Sequence, residues 1–245
     1  MKLNSNIKTA IRVAKIELNS MFYSPVAWLV LVIFGFQIGM SFAQIYGEQL
    51  RYQDMGYDLW SVTSGVYTGM RGILPPIQRY IYLYIPLITM GLMSREYRSG
   101  SIKLLYSSPV KNTSIIIGKF LSMMVYGGAL IAVLGVFVIF SAITIVNFDY
   151  PLVLSGMLGL YLLILAYSAI GLFMSSITKY QVVAAIGTLA VLAVLNFIGD
   201  VGQDYDLVRH ITYWLSITGR AYPFIDGLIA SDNIFYFLIV IGFFL

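Results

Sequence analysis

Cysteine is absent from the sequence, and histidine occurs once, as His210. Without cysteine there is no disulfide framework, no thiolate nucleophile and no zinc–thiolate site. A single histidine cannot supply the several ligands that a histidine-based metal site requires. The phosphate-binding motif GxxxxGK followed by Ser or Thr is also missing, so ATP would have to bind to another polypeptide. We predict no catalytic residue, no metal site and no directly bound cofactor.

Charged residues are scarce as well. They make up 11% of the chain, whereas about 25% is usual for a soluble domain. Hydrophobic residues account for 59%, and the mean hydropathy is +0.84. Too few polar side chains are present to cover a globule of this size, so the apolar surface must face lipid. The apolar stretches are long runs rather than alternating segments, which favours membrane-spanning helices over strands.

The apolar runs predict a single all-α membrane domain over residues 1–245 with about six transmembrane helices. A helix needs about 20 apolar residues to cross the hydrocarbon core of a bilayer. The last run is shorter than this, so either the sequence starts this span without finishing it, which we favour, or the segment is not a full span. The predicted spans are 26–46, 75–94, 114–146, 151–176, 180–198 and 234–245.

The distribution of basic residues predicts the orientation. Six spans place the N-terminus, the 95–113 loop and the 177–179 turn on one side, with ten Lys and Arg residues against five on the other. Basic residues concentrate on the cytoplasmic side of multi-pass membrane proteins. We therefore predict a multi-pass protein of the bacterial cytoplasmic (inner) membrane with a cytoplasmic N-terminus. The bilayer is one expected partner, and nucleic acid is not.

Residues 3–24 precede the first span and have an amphipathic pattern. Apolar residues from Ile7 to Phe22 recur on one helical face, while Lys8, Arg12 and Lys15 lie on the other. This pattern is typical of a helix that lies in the membrane interface with its basic residues near lipid headgroups. On the opposite side of the membrane, the sequence predicts two loops, 47–74 and 199–233. The aromatic residues of the second loop indicate either short helices or a hairpin at the outer interface.

The 94–113 loop, SREYRSGSIKLLYSSPVKNT, is short and basic and contains an apolar patch. Gly100 allows a sharp exit from the second span, and Ser101 can cap a helix of about two turns that ends near Pro109. Such a helix suits docking into a groove of a cytoplasmic partner, although a plain positive loop fits the same residues. Glu96 and Arg98 could pair with each other or contact that partner.

The loop and the start of the third span carry a family resemblance. The residues concerned are Glu96, Arg98, Gly100, Ser101, Leu104, Leu105, Ser108 and Pro109, followed by Gly118, Lys119 and Phe120. Their order resembles the signature of ABC-2-type transporter permeases, and the detailed pattern is most similar to the gliding-motility-associated permeases of Bacteroidetes. The N-terminal interfacial helix and the order of spans are also similar to that family.

The resemblance implies a non-catalytic permease subunit of an ATP-driven exporter. It implies a second permease subunit, identical or related, and a separate ATP-binding subunit that holds ATP and Mg²⁺. The segment after the second span is then a short cytoplasmic coupling helix. Its expected coupling residues are Glu96, Arg98, Gly100, Ser101, Ile102, Leu104, Leu105 and Pro109.

Two other classes of protein remain as alternatives. An ion-coupled secondary transporter normally places ionisable residues in the middle of the membrane, and the third to fifth spans carry none beyond Lys119 near a membrane face. An intramembrane protease needs a metal-binding, Ser–His or paired-Asp site within the spans, and none of these is present. The nature of the substrate does not follow from the sequence.

Overall fold

A computed structural model describes residues 2–56, 62–69, 71–107, 110–145, 147–201 and 204–245. Within these ranges the chain contains no strand and forms twelve α-helices. They are α1 (Lys2–Tyr23), α2 (Pro25–Asp54), α3 (Val62–Tyr67), α4 (Leu74–Thr89), α5 (Ser94–Ser99), α6 (Ile102–Ser107), α7 (Asn112–Thr144), α8 (Tyr150–Ile177), α9 (Gln181–Phe197), α10 (Asp206–Leu215), α11 (Ile217–Ile225) and α12 (Ser231–Phe244). The prediction of an all-α polytopic membrane protein is confirmed.

Among the described residues, four helices are long and apolar enough to cross a membrane: α2, α7, α8 and α9. They correspond to the predicted spans 26–46, 114–146, 151–176 and 180–198. The helix α2 continues eight residues beyond the predicted end, to Asp54. Its 30 residues correspond to about 45 Å, so α2 is longer than the hydrocarbon core and projects past it.

The other two predicted spans contain shorter helices. The 16 residues of α4 and the 14 of α12 correspond to about 24 Å and 21 Å. The predicted span 75–94 is divided, because α4 ends at Thr89 and α5 begins at Ser94. Pro86 lies in the last turn of α4, where it removes one backbone donor. We call residues 90–93, which join α4 to α5, the elbow.

The helix α8 forms the centre of the bundle. It packs against α4, α7, α9, α11 and α12. Of the 18 residues that form its most apolar stretch, 72% are buried inside the protein, compared with 22–33% of the corresponding residues in α2, α7 and α9. Those three helices present apolar side chains such as Val32, Ile143 and Val183 outward, as expected of a surface that contacts lipid.

Short helices follow α9, as predicted for the second external loop. The backbone of α11 is tied to the long helices by their polar side chains: Ser155 donates to the Phe224 carbonyl at 2.7 Å, and Gln78 Nε2 donates to the Thr218 carbonyl at 2.7 Å. The Thr218 hydroxyl also donates to the amide oxygen of Asn196 at the end of α9. These bonds hold α11 over the end of the bundle that lies opposite the elbow.

Candidate functional site

The elbow interrupts a helix inside the protein, so its backbone groups need partners other than the helical ladder. Ser175, near the end of α8, supplies them. Its hydroxyl oxygen accepts bonds from the Met93 and Ser94 amides at 3.0 and 3.1 Å and donates to the Met90 carbonyl at 2.9 Å. One serine of the central helix therefore satisfies both sides of the elbow.

Lys119 binds the elbow from the other side. Only 1% of this side chain is exposed, although it carries a charge. Its Nζ donates to Glu17 Oε2 at 3.0 Å, to Glu96 Oε1 at 2.7 Å and to the backbone carbonyl of Leu92. An ammonium group has three donors, and here each has an acceptor. The three acceptors belong to α1, to α5 and to the elbow, so one side chain of α7 joins three separate segments.

Arg95 completes the group. Its Nη2 donates to the second oxygen of Glu17 at 2.9 Å. We call Glu17, Arg95, Glu96 and Lys119 the ion cluster. It contains two acids and two bases, so the formal charges balance. Removing charges from water is costly unless they are paired and hydrogen-bonded. The buried polar atoms of the cluster have partners except Glu96 Oε2, which has none within the described part of the chain.

Gly118 explains how α1 comes close enough for Glu17 to reach Lys119. A side chain at this position would place its Cβ 2.7 Å from both the carbonyl oxygen of Ala10 and the Cβ of Val13. Only glycine permits this contact between α7 and α1. Gly118 and Lys119 are adjacent in the sequence signature, and their roles are linked. Gly118 leaves space for α1 to pack closely, and Lys119 binds α1 through Glu17.

The predicted coupling residues lie immediately beyond the elbow. Gly100 ends α5 with φ of +74°, a left-handed conformation that glycine adopts without strain. The predicted short helix is present as α6, and Ser101 precedes it with its hydroxyl 2.8 Å from that of Ser99. The side chains of Leu104 and Leu105, and all of Pro109, lie outside the part that the structure describes.

Two of the expected coupling residues have different surroundings from those that the sequence suggested. Ile102 is only 8% exposed and packs into the hydrophobic core, so it anchors α6 instead of presenting an apolar surface to a partner. Glu96 pairs with Lys119 rather than with Arg98. Arg98 is exposed and makes no ion pair within the described ranges, so its guanidinium faces solvent.

The amphipathic helix α1 lies along α7, and its exposed residues include Lys8, Arg12 and Lys15. The face that packs against α7 differs from the predicted apolar face. Ala10, Glu17 and Met21 are buried, whereas Ile7 and Ile11 are more than half exposed. The exposed isoleucines give α1 an apolar strip beside its basic residues, which is the arrangement of a helix in a membrane interface.

A second buried cation, Arg220 in α11, lies at the opposite end of the bundle and is 6% exposed. Its guanidinium carbon lies 4.4 Å from the ring centroid of Trp214, and the rings of Tyr213 and Tyr236 lie within 5.6 Å. Nη1 is 3.2 Å from Asn233 Oδ1 and 3.4 Å from the exposed carboxylate of Asp232. Aromatic faces supply most of the surroundings of this cation.

Sequence reasoning missed the ion cluster, because it treated Lys119 as a residue near a membrane face and gave Glu17 no role. A signal was available. The segments predicted to be cytoplasmic carry ten basic residues but only two acids, Glu17 and Glu96. Both of those acids bind Lys119.

The family model described as ABC-2 family transporter protein matches residues 11–203. The chain belongs to the ABC-2 transporter family. The matched range contains the whole ion cluster and the predicted coupling segment, and it ends before Arg220. This ABC-2 protein is therefore a membrane-embedded permease of an ABC transporter, a class that works with an ATP-binding subunit. A comparison with curated protein sequences returned no match.

Proposed function

We propose that this permease is the non-catalytic membrane subunit of an ATP-driven exporter and that a separate ATPase docks on the segment from Arg95 to Lys111. ATP and Mg²⁺ bind to that partner. The observation that carries the proposal is the position of α6. This short helix is joined to the elbow through α5, and the elbow is bound to α1 and α7 through Lys119 and to α8 through Ser175. A displacement of α6 would therefore be transmitted to all three helices.

The charge of the docking segment supports an acidic or polar groove on the ATPase. Arg98 and Lys103 are both exposed, and neither is used in an ion pair within the described part of the chain. Ile102 holds α6 against the core, so the segment moves with the elbow rather than independently of it. Leu104 and Leu105 are the residues we expect to enter the groove.

The remaining assignments follow from the same proposal. Two permease subunits pair in the bacterial inner membrane with the N-terminus and α6 in the cytoplasm, and the substrate moves outward. Membership of the gliding-motility-associated subgroup rests on the loop signature. The ion-coupled alternative lacks support, because α8 and α9 contain no charged residue and Lys119 lies at one end of α7.

A co-purification experiment tests the docking site. The tagged permease is purified from the cells that naturally produce it, and the amount of co-purifying ABC-type ATPase is measured. The charge reversals Arg98→Glu and Lys103→Glu together should reduce recovery at least tenfold, since they replace exposed cations of the docking segment by anions. Lys179→Glu is the matched control, because Lys179 is also exposed and is predicted to lie on the same side. Equal recovery from the double variant and the control would refute docking at α6.

A further inference from the structure

A cavity of about 470 Å³ opens at the end of the bundle opposite the elbow. It lies between the first turns of α4, the end of α9 and the short helices α10 and α11. Its lining includes Arg79, Asn196, Phe197, Asp200, Tyr213 and Tyr222. No described residue of the ion cluster or the docking segment lines this cavity, so it is a site separate from the one proposed for the ATPase.

The cavity has one cation and one anion in its lining, and they are not joined to each other. Arg79 and Asp200 are both exposed, and within the described residues neither side chain makes an ion pair or a hydrogen bond. An arginine can bind a phosphate through two parallel hydrogen bonds, and a carboxylate accepts bonds from an ammonium group. A ligand with a phosphate and an amine could therefore occupy both residues at once.

The neutral residues of the lining suit the same ligand. Tyr222 is about half exposed, at 49%, and aromatic faces attract ammonium groups. Asn196 accepts a bond from the Thr218 hydroxyl, and its amide nitrogen has no acceptor within the described residues. That nitrogen is a donor for a ligand oxygen.

The surface beside the cavity indicates that the ligand also has an apolar part. Phe197, which lines the cavity, is 48% exposed, and Val194, one turn earlier on α9, is 60% exposed. Residues three apart on a helix are neighbours, so the two form a continuous apolar surface that leads from the cavity along α9. A free phosphate or a free amino acid would leave this surface unused, whereas an acyl chain would cover it.

We propose that this cavity binds the headgroup of a zwitterionic phospholipid, with the phosphate at Arg79, the ammonium group at Asp200 and an acyl chain along α9. Phosphatidylethanolamine has this chemistry. The proposal concerns equilibrium binding and needs no ATPase, so it stands or falls independently of the docking proposal.

Tryptophan quenching by brominated lipids tests it. Trp214 follows Tyr213 of the cavity lining, and Trp28→Phe with Trp60→Phe leaves Trp214 as the single fluorophore. The full chain is reconstituted in phosphatidylglycerol bilayers that contain increasing amounts of brominated phosphatidylethanolamine or brominated phosphatidylglycerol. We expect phosphatidylethanolamine to quench at a lower mole fraction, since only this lipid offers an ammonium group to Asp200.

Two variants separate the roles of the charges. Asp200→Asn should remove the preference for phosphatidylethanolamine, and Arg79→Gln should weaken its binding by roughly three- to tenfold, in line with the loss of one charge-assisted hydrogen bond at a solvated site. Asp204→Asn and Arg71→Gln are matched controls, because both residues are exposed and lie outside the cavity lining. Equal quenching by the two lipids in the parent, or an unchanged preference in both cavity variants, would overturn the proposal.

Discussion

Lys119 and Arg220 are both buried cations, and they lie at opposite ends of the same helical bundle. Lys119 is surrounded by two carboxylates and a carbonyl oxygen, each of which accepts one of its three hydrogen bonds. Arg220 lies among three aromatic rings, with one amide and one solvent-exposed carboxylate at its edge. Carboxylates neutralise the charge of Lys119, whereas the faces of aromatic rings make most of the contacts with Arg220.

The difference determines what remains when either cation is removed. Without Lys119, two acids would be left together in a largely buried site, and only Glu17 would keep a cationic partner. Without Arg220, the rings and Asn233 would carry no charge, and Asp232 is already 68% exposed to solvent. The ion cluster is therefore the more fragile of the two sites, although it contains more favourable interactions.

The largest effect is expected for Lys119→Met. Removing one partner of a buried ion pair typically costs about 3–5 kcal/mol, because the remaining charge has no compensation. We expect a loss of this size in the free energy of unfolding, measured by titration with a denaturing detergent in mixed micelles. The comparison with Arg220 would fail if Lys119→Met were the milder substitution.

The triple variant Lys119→Met, Glu17→Gln and Glu96→Gln provides the control. It removes the uncompensated acids together with the lysine, so most of the lost stability should return. If the triple variant were no more stable than Lys119→Met alone, the cost would come from packing around α1 and not from unpaired charge.

An intermediate effect is expected for Arg220→Met. A cation–π contact contributes about 0.5–2 kcal/mol, and methionine retains part of the contact with the rings. The same titration should therefore show a loss of about 1–2 kcal/mol. Arg220→Lys is informative beside it, since lysine keeps the charge but loses the planar stacking on Trp214. If Arg220→Lys lowered the free energy of unfolding as much as Arg220→Met, the stabilisation would come from stacking and not from the charge.

The smallest effect is expected for Arg95→Gln. The Arg95 side chain is 46% exposed, and ion pairs in contact with solvent contribute about 0–1 kcal/mol. The difference from the parent protein should also shrink at high salt, because salt screens exposed charges. A larger loss of unfolding free energy that did not depend on salt would show that Arg95 belongs to the buried part of the cluster. Arg95 and Lys119 would then not differ in the way that their exposure suggests.

Helix positions that depend on local pattern could be read from the sequence. Hydrophobic runs without charge located α2, α7, α8 and α9. Gly100 was predicted to allow a sharp exit from the second span, and in the structure it ends α5 with a left-handed backbone. Pro86 indicates a kink in the second span, but the break at residues 90–93 could not be read in the same way. It depends on Ser175, which lies more than 80 residues further along the chain and replaces the missing backbone partners of Met93 and Ser94.

The candidate functional site also depends on contacts between distant parts of the chain, which the sequence alone does not reveal. Gly118 and Lys119 were recognised as part of a family signature, but their physical roles depend on the approach of α1, which no local pattern specifies. Ile102 was placed in an exposed apolar patch because periodicity alone does not distinguish a face that meets a partner from one that meets the protein's own core. Arg220 entered the sequence analysis only as one of the five basic residues counted on the opposite side, since the three rings around it come from α10 and α12.

The bonds of Lys119 also have an evolutionary consequence. Its ammonium group binds Glu17, which is 102 positions away in the chain, and Glu96, which is 23 positions away. A change of charge at any one of these positions would be tolerated only with a compensating change at another. Positions 17, 96 and 119 should therefore vary together among related permeases, and a lineage that loses the lysine should also lose at least one of the acids.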